Sequence, residues 1–291
     1  LLLKEGVYPR RLELNQRIHL KKGENRLKIH VIDSDGLFSE KILTVHHIEK
    51  RHNVWAVLIG INDYQQIRRL KYAVNDARAF YDLLVDYNRI PQQNIFLLIN
   101  ESASLRQLRS TLGTQLKNKA GKNDLVIIYF AGHGATERDM MSPDGDGLEK
   151  YLLPFDADPA DLYSSALPMR EIAHILHRIR SERLVFIADA CYSGASGGRT
   201  VSISGVRANI SDSFLKRIAG GKGKIIMTAS SANEVSVEKD ELGHGIFTYY
   251  MIEGLKGKAD IDRDGLITVD EAYRYVTEKV TSAAGQEQHP V

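Results

Sequence analysis

The sequence predicts an α/β domain built on a mostly parallel sheet with helices on both faces, preceded by a small β-rich segment. Three observations carry this. Several short runs are apolar without alternation, as strands covered on both faces are. Stretches of helical period stand between them, while residues 1–50 instead alternate apolar with polar positions. The 291 residues suffice for one large domain with a smaller companion, and 43% hydrophobic with 26% charged residues suits a globular chain.

In residues 1–50 the stretches 12–20 and 26–32 alternate, Asp33-Ser34-Asp35-Gly36 turns the chain, and 41–45 alternates again. This is a hairpin with one half-buried face, either the tail of an immunoglobulin-like module or an added hairpin. Asp33 and Asp35 read as turn residues rather than calcium ligands, because Asp and Gly are what such turns use. The charged stretch Glu49-Lys50-Arg51-His52 marks the boundary, so the main domain is residues 51–291.

Within that domain the apolar runs 54–61, 95–99, 124–131, 184–189 and 224–228 are five buried strands. Ala73, Ala77, Phe80, Leu84 and Tyr87 mark a helix over 70–87, and Leu105, Leu108, Leu112 and Leu116 mark a second. Ile172, Ile175, Leu176 and Ile179 give a third, and helical runs at 246–256 and 269–280 close the chain.

Lys and Arg number 39 against 37 Asp and Glu, a scattered net charge of +2 that argues against a nucleic-acid or anionic-membrane partner. No apolar run has the length of a membrane span, and no signal-peptide pattern opens the chain. Because residue 1 is leucine, the chain reads as a mature form or a fragment. Its one cysteine rules out an internal disulfide framework. A reducing, cytoplasmic compartment fits best, with an extracytoplasmic one left open.

That cysteine, Cys191, follows the strand 184–189 and opens a glycine- and serine-rich loop. Strand C-terminal ends are where open α/β sheets hold ligands, and a thiol there is a nucleophile if a base stands on a neighbouring strand end. Otherwise it is a small core residue. His133, between Gly132 and Gly134, follows the strand 124–131 in the same way. An adjacent imidazole converts a thiol of ordinary pKa to a thiolate, and the backbone N–H groups of Gly134 and Cys191 suit the oxyanion of a tetrahedral intermediate.

The blocks Tyr129-Phe130-Ala131-Gly132-His133-Gly134 and Asp189-Ala190-Cys191-Tyr192-Ser193-Gly194 resemble the caspase-like cysteine peptidases. In these the histidine precedes the cysteine by about 50 residues. The blocks at 56–64, 70–77 and 151–157 are similar to those of bacterial metacaspase-like proteins, or orthocaspases, and the resemblance spans about residues 52–280. It implies a caspase-like fold and a His133–Cys191 dyad acting on protein or peptide substrates. Where the enzymes that cut after aspartate carry glutamine two residues before the nucleophile, this chain has Asp189. The resemblance maps a second acid to Asp76, which also suits a helix start, and so implies that Asp76 and Asp189 form a pocket for Arg or Lys. A scaffold module of a multidomain signalling protein, on the same fold, is the alternative.

Given that specificity, Arg199 and Arg207 in the glycine- and serine-rich linker 193–224 are candidates for self-cleavage. Residues 260–271 fit the EF-hand calcium loop, with Asp260, Asp262 and Asp264 at positions 1, 3 and 5, Gly265 at 6, Leu266 at 7, Thr268 at 9 and Glu271 at 12. Calcium is therefore the expected cofactor. Among the other histidines, Gly243-His244-Gly245 reads as a turn, and His174 with His177 as a solvated helix face lacking a third ligand. Oligomeric state is left open.

Overall fold

Five parallel strands form the main sheet: β3 (Val54–Gly60), β4 (Ile95–Ile99), β5 (Leu125–Ala131), β9 (Arg183–Asp189) and β10 (Lys224–Thr228), in the order β10-β9-β5-β3-β4. The structure is a computed structural model that describes residues 18–32, 35–47, 52–142, 147–190, 223–229, 236–285 and 288–291. Two compact units divide the chain, one within residues 1–51 and one within 52–291.

In the first unit β1 (Gly23–Ile32) pairs antiparallel with β2 (Phe38–His47), Ile32 opposite Phe38. The hairpin forms where alternation predicts it, with Leu27 and Val45 half-buried on one face. Ile29, Val31 and Leu43 on that face of the ribbon are exposed, as are Ile32, Phe38 and Ile42 on the other.

In the second unit the period-2 alternation of each strand sends side chains to two cores. Val57, Ile59, Val126, Ile128, Leu184 and Phe186 pack beneath α2 (Leu105–Ser110) and α3 (Met169–Arg178). Ala56, Leu58, Tyr129, Ile187 and Met227 pack against α1 (Ala73–Asp82), α4 (Ile246–Glu253) and α5 (Val269–Ala283). The expected helix over 70–87 is shorter as an α-helix, and Leu83–Tyr87 continues it in wider turns, with Asn88 N–H reaching back to the Leu83 carbonyl.

Smaller sheets flank the C-terminal edge. β6 (Gly134–Arg138), β7 (Leu148–Leu152) and β8 (Leu167–Pro168) form an antiparallel trio, and β11 (Glu238–Lys239) pairs with β12 (His244–Gly245) just before α4. Gly60 lets α1 begin directly against β3, since a Cβ there would lie 2.4 Å from the Ala73 carbonyl oxygen. That close approach sets the first turn of α1, with Asp76, over the C-terminal end of the sheet.

Candidate active site

β5 and β9 are neighbours whose register sets Ala131 opposite Asp189. His133 lies two residues beyond the first in the chain and Cys191 two beyond the second. Cys191, Arg199 and Arg207 lie outside the described residues.

His133 is buried, and the loop after β3 holds it. Leu70 N–H donates to the Asn62 carbonyl at 3.0 Å and Gln65 N–H to the Phe155 carbonyl at 3.1 Å, closing the loop. The closed loop presents two groups to the histidine. Tyr64 Oη accepts the His133 backbone N–H at 2.7 Å, with the two rings 5.0 Å apart, and the Arg68 carbonyl stands 2.8 Å from Nε2. A carbonyl only accepts, so Nε2 carries the ring proton and Nδ1 is the basic nitrogen. Gly132 is needed for this approach, because a Cβ there would lie 2.7 Å from Tyr64 Oη and 2.9 Å from the Phe130 ring.

Gly134 begins β6 opposite Leu152. The Leu153 N–H to His133 carbonyl bond of 3.0 Å makes this a non-hydrogen-bonded pair, so the ladder does not consume the Gly134 N–H.

Both acids are fully buried at 0% exposure. Asp189 ends β9 on the same face as Ile187, toward α4. Its Oδ1 accepts the Ser236 hydroxyl at 2.5 Å and its Oδ2 the Thr248 hydroxyl at 2.7 Å. With its proton so directed, Thr248 Oγ1 accepts from the Tyr129 hydroxyl 2.6 Å away. Asp76 accepts from His244 Nδ1 at 2.8 Å and from Gly245 N–H, 3.3 Å from each oxygen. His244, read from sequence as a turn residue, thus sits in β12 against an acid 168 positions earlier; that long-range pairing leaves no local signal.

In the loop 260–271 the structure sets carboxylate oxygens of Asp260, Asp262 and Asp264 within 4.8 Å of one another. Asp260 accepts the N–H groups of Asp264 and Gly265, and Gly265 takes φ +83°, open to glycine at little cost. Glu271 accepts the Thr268 N–H and hydroxyl in a capping box at the start of α5, and these bonds hold its carboxyl below the usual range. Leu266 is exposed. His174 and His177 lie on α3. No helix among the described residues is long and apolar enough to cross a membrane.

A buried histidine just past the end of one parallel strand and a buried acid at the end of its neighbour stand on an α/β scaffold, with the cysteine two residues further along the sequence. The caspase-domain family model matches residues 53–291, and the chain belongs to that family. Over 156 residues it is 27% identical to metacaspase-1B of Neurospora crassa, covering 48% of this chain and 34% of that protein. Over 147 residues it is 29% identical to metacaspase-3 of Arabidopsis thaliana, covering 48% and 39%. The chain thus spans little more than a third of the length of these curated relatives. A crystal structure of a Geobacter sulfurreducens protein shares the fold, with a TM-score of 0.58 at 16% identity over 82% of this chain and 92% of that one.

Proposed function

We propose that this chain is a cysteine endopeptidase that cleaves after Arg or Lys through a His133–Cys191 dyad. The observation that carries the reading is the register of β5 and β9, from which His133 and Cys191 each follow by two residues. His133 Nδ1 takes the thiol proton while Nε2–H stays on the Arg68 carbonyl. The thiolate forms a C–S bond to the scissile carbonyl, and the Gly134 and Cys191 N–H groups receive the oxyanion. The imidazolium then protonates the leaving amine as the C–N bond breaks. Water hydrolyses the thioester and restores the thiol.

Asp76 and Asp189 are the acids that select a basic side chain, since a carboxylate brought between them meets like charge. Arg199 and Arg207 are the proposed self-cleavage positions. Calcium is the ion that suits the loop 260–271: the three carboxylates converge, and Gly265 makes the sharp turn such a loop needs. Asp260, Asp262, Asp264, the Leu266 carbonyl, Thr268 and Glu271 would hold it, cross-linking the segment between α4 and α5.

Matched fluorogenic peptides ending in Arg or Asp, assayed with wild type and Cys191→Ala, test the reading. Turnover is expected for Arg alone and only with Cys191, and the intact mass of the two proteins reports self-cleavage. Turnover that survives Cys191→Ala would sink the dyad, and none at all would favour the scaffold alternative.

A further inference from the structure

Four of the groups that hold the two pocket acids come from one short stretch of chain. Ser236 and Thr248 donate to Asp189, and His244 and Gly245 donate to Asp76. Gly245 and Thr248 are three residues apart, about one helical turn or 5 Å of rise. The carboxylates of α1 and β9 are therefore both held by the segment that opens α4. We infer that His244 and Thr248 are positioning residues for basic-side-chain specificity, an inference that rests on Asp76 and Asp189 being the acids that select Arg or Lys.

A planar guanidinium is recognised by a carboxylate whose plane is fixed. Asp189 has that constraint, with one hydroxyl on each oxygen, so rotation about its terminal bond breaks both bonds. The Thr248 hydroxyl is itself oriented by the buried Tyr129, whose ring stacks on Phe80 of α1 at 4.6 Å. Asp76 is fixed from two directions, by the His244 ring and by the Gly245 backbone.

The same segment also grips the helix that carries Asp76. Glu238 accepts the Lys71 and Tyr72 N–H groups at 3.2 and 3.0 Å, and Asp240 pairs with Lys71 Nζ at 3.0 Å. Movement of residues 236–248 therefore displaces both acids together. His244 is the outward end of the network, its side chain 26% exposed beside a groove of about 420 Å³ that Asp82, Asp86, Tyr249 and Glu253 help to line. Its ring is not among the apolar residues packed in the core.

A purely structural role, satisfying buried carboxylates, predicts lower melting temperatures in variants but unchanged selectivity. The experiment compares peptides that differ only in Arg or its uncharged isostere citrulline at the cleaved position. Thr248→Val and His244→Ala are expected to reduce the Arg-over-citrulline ratio of kcat/KM about tenfold, through KM, the worth of one hydrogen bond to a charged group. Thr248→Ser, which keeps the hydroxyl, and His244→Asn, whose amide can replace Nδ1–H, should restore it. Wild-type ratios in both folded loss variants would overturn the inference while Asp189→Asn still abolishes selectivity. Were Asp189→Asn and Asp76→Asn also to keep the wild-type ratio, the pocket reading itself would fall. His244→Ala decides the matter if Thr248→Val does not fold.

Discussion

Tyr64 fixes His133 twice, by taking its backbone N–H and by packing ring against ring. In Tyr64→Phe the packing stays but a buried N–H loses its acceptor, at a cost of about 1–3 kcal/mol. We expect kcat on an Arg peptide to fall about tenfold with KM nearly unchanged, since the histidine and not the pocket loses its support. Steady-state kinetics beside a melting curve check this, and a wild-type kcat would remove Tyr64 from the mechanism. His133 was legible in the sequence because a histidine between glycines at the end of an apolar strand is conspicuous. Tyr64 was visible only as one letter of a matching block, since its role depends on a loop folding against a residue 69 positions later. His244 was misread for the same reason: flanking glycines are a local turn signal, and its acid is on another element.

The start of α1 shows how one element borrows its termination from elsewhere. Tyr72 at the N-cap makes no side-chain cap, and instead Asn62 Oδ1 accepts the Val74 N–H at 3.0 Å while its Nδ2 donates to the Lys71 carbonyl at 3.0 Å. Asn62 thus caps the helix from the loop that also presents the Arg68 carbonyl. Asn62→Ala should destabilise the domain by about 1–2 kcal/mol, as a lost cap does, which lowers Tm by about 2–8 °C at this size. Asn62→Asp, which keeps the acceptor, should recover part of the loss; equal melting of all three proteins would show that the cap contributes nothing. At this scale the five strands were readable from apolar runs alone, because burial on both faces removes alternation. The length of α1 was not, because Leu84 stays buried through the change to wider turns and only Tyr87, three residues on, turns outward.

Across the whole second unit, α4 has two duties that meet end to end. Its first turn helps to hold both buried acids, Asp76 and Asp189, and its last residues lead through the wide turns Gly254–Lys258 into the loop 260–271, after which α5 packs back on the same core. Calcium bound to that loop would add an ordered link between α4 and α5, where the metal-free loop has only hydrogen bonds such as Ile261 N–H to Glu271 at 3.1 Å. The sign with pH follows from Glu271, whose carboxyl is held low by the Thr268 N–H and hydroxyl. Its contribution is present above the ordinary glutamate pKa and lost as pH falls through the depressed value, so a test near pH 7 finds the carboxylate ready for metal. Free calcium at a hundred times its Kd stabilises by about 2.7 kcal/mol, a rise in Tm of about 5–10 °C for a unit of this size. Glu271→Gln should lose most of that rise, because position 12 supplies the bidentate ligand. Melting curves in calcium and in chelator measure it, and coincident curves for the wild-type protein would remove calcium from the account.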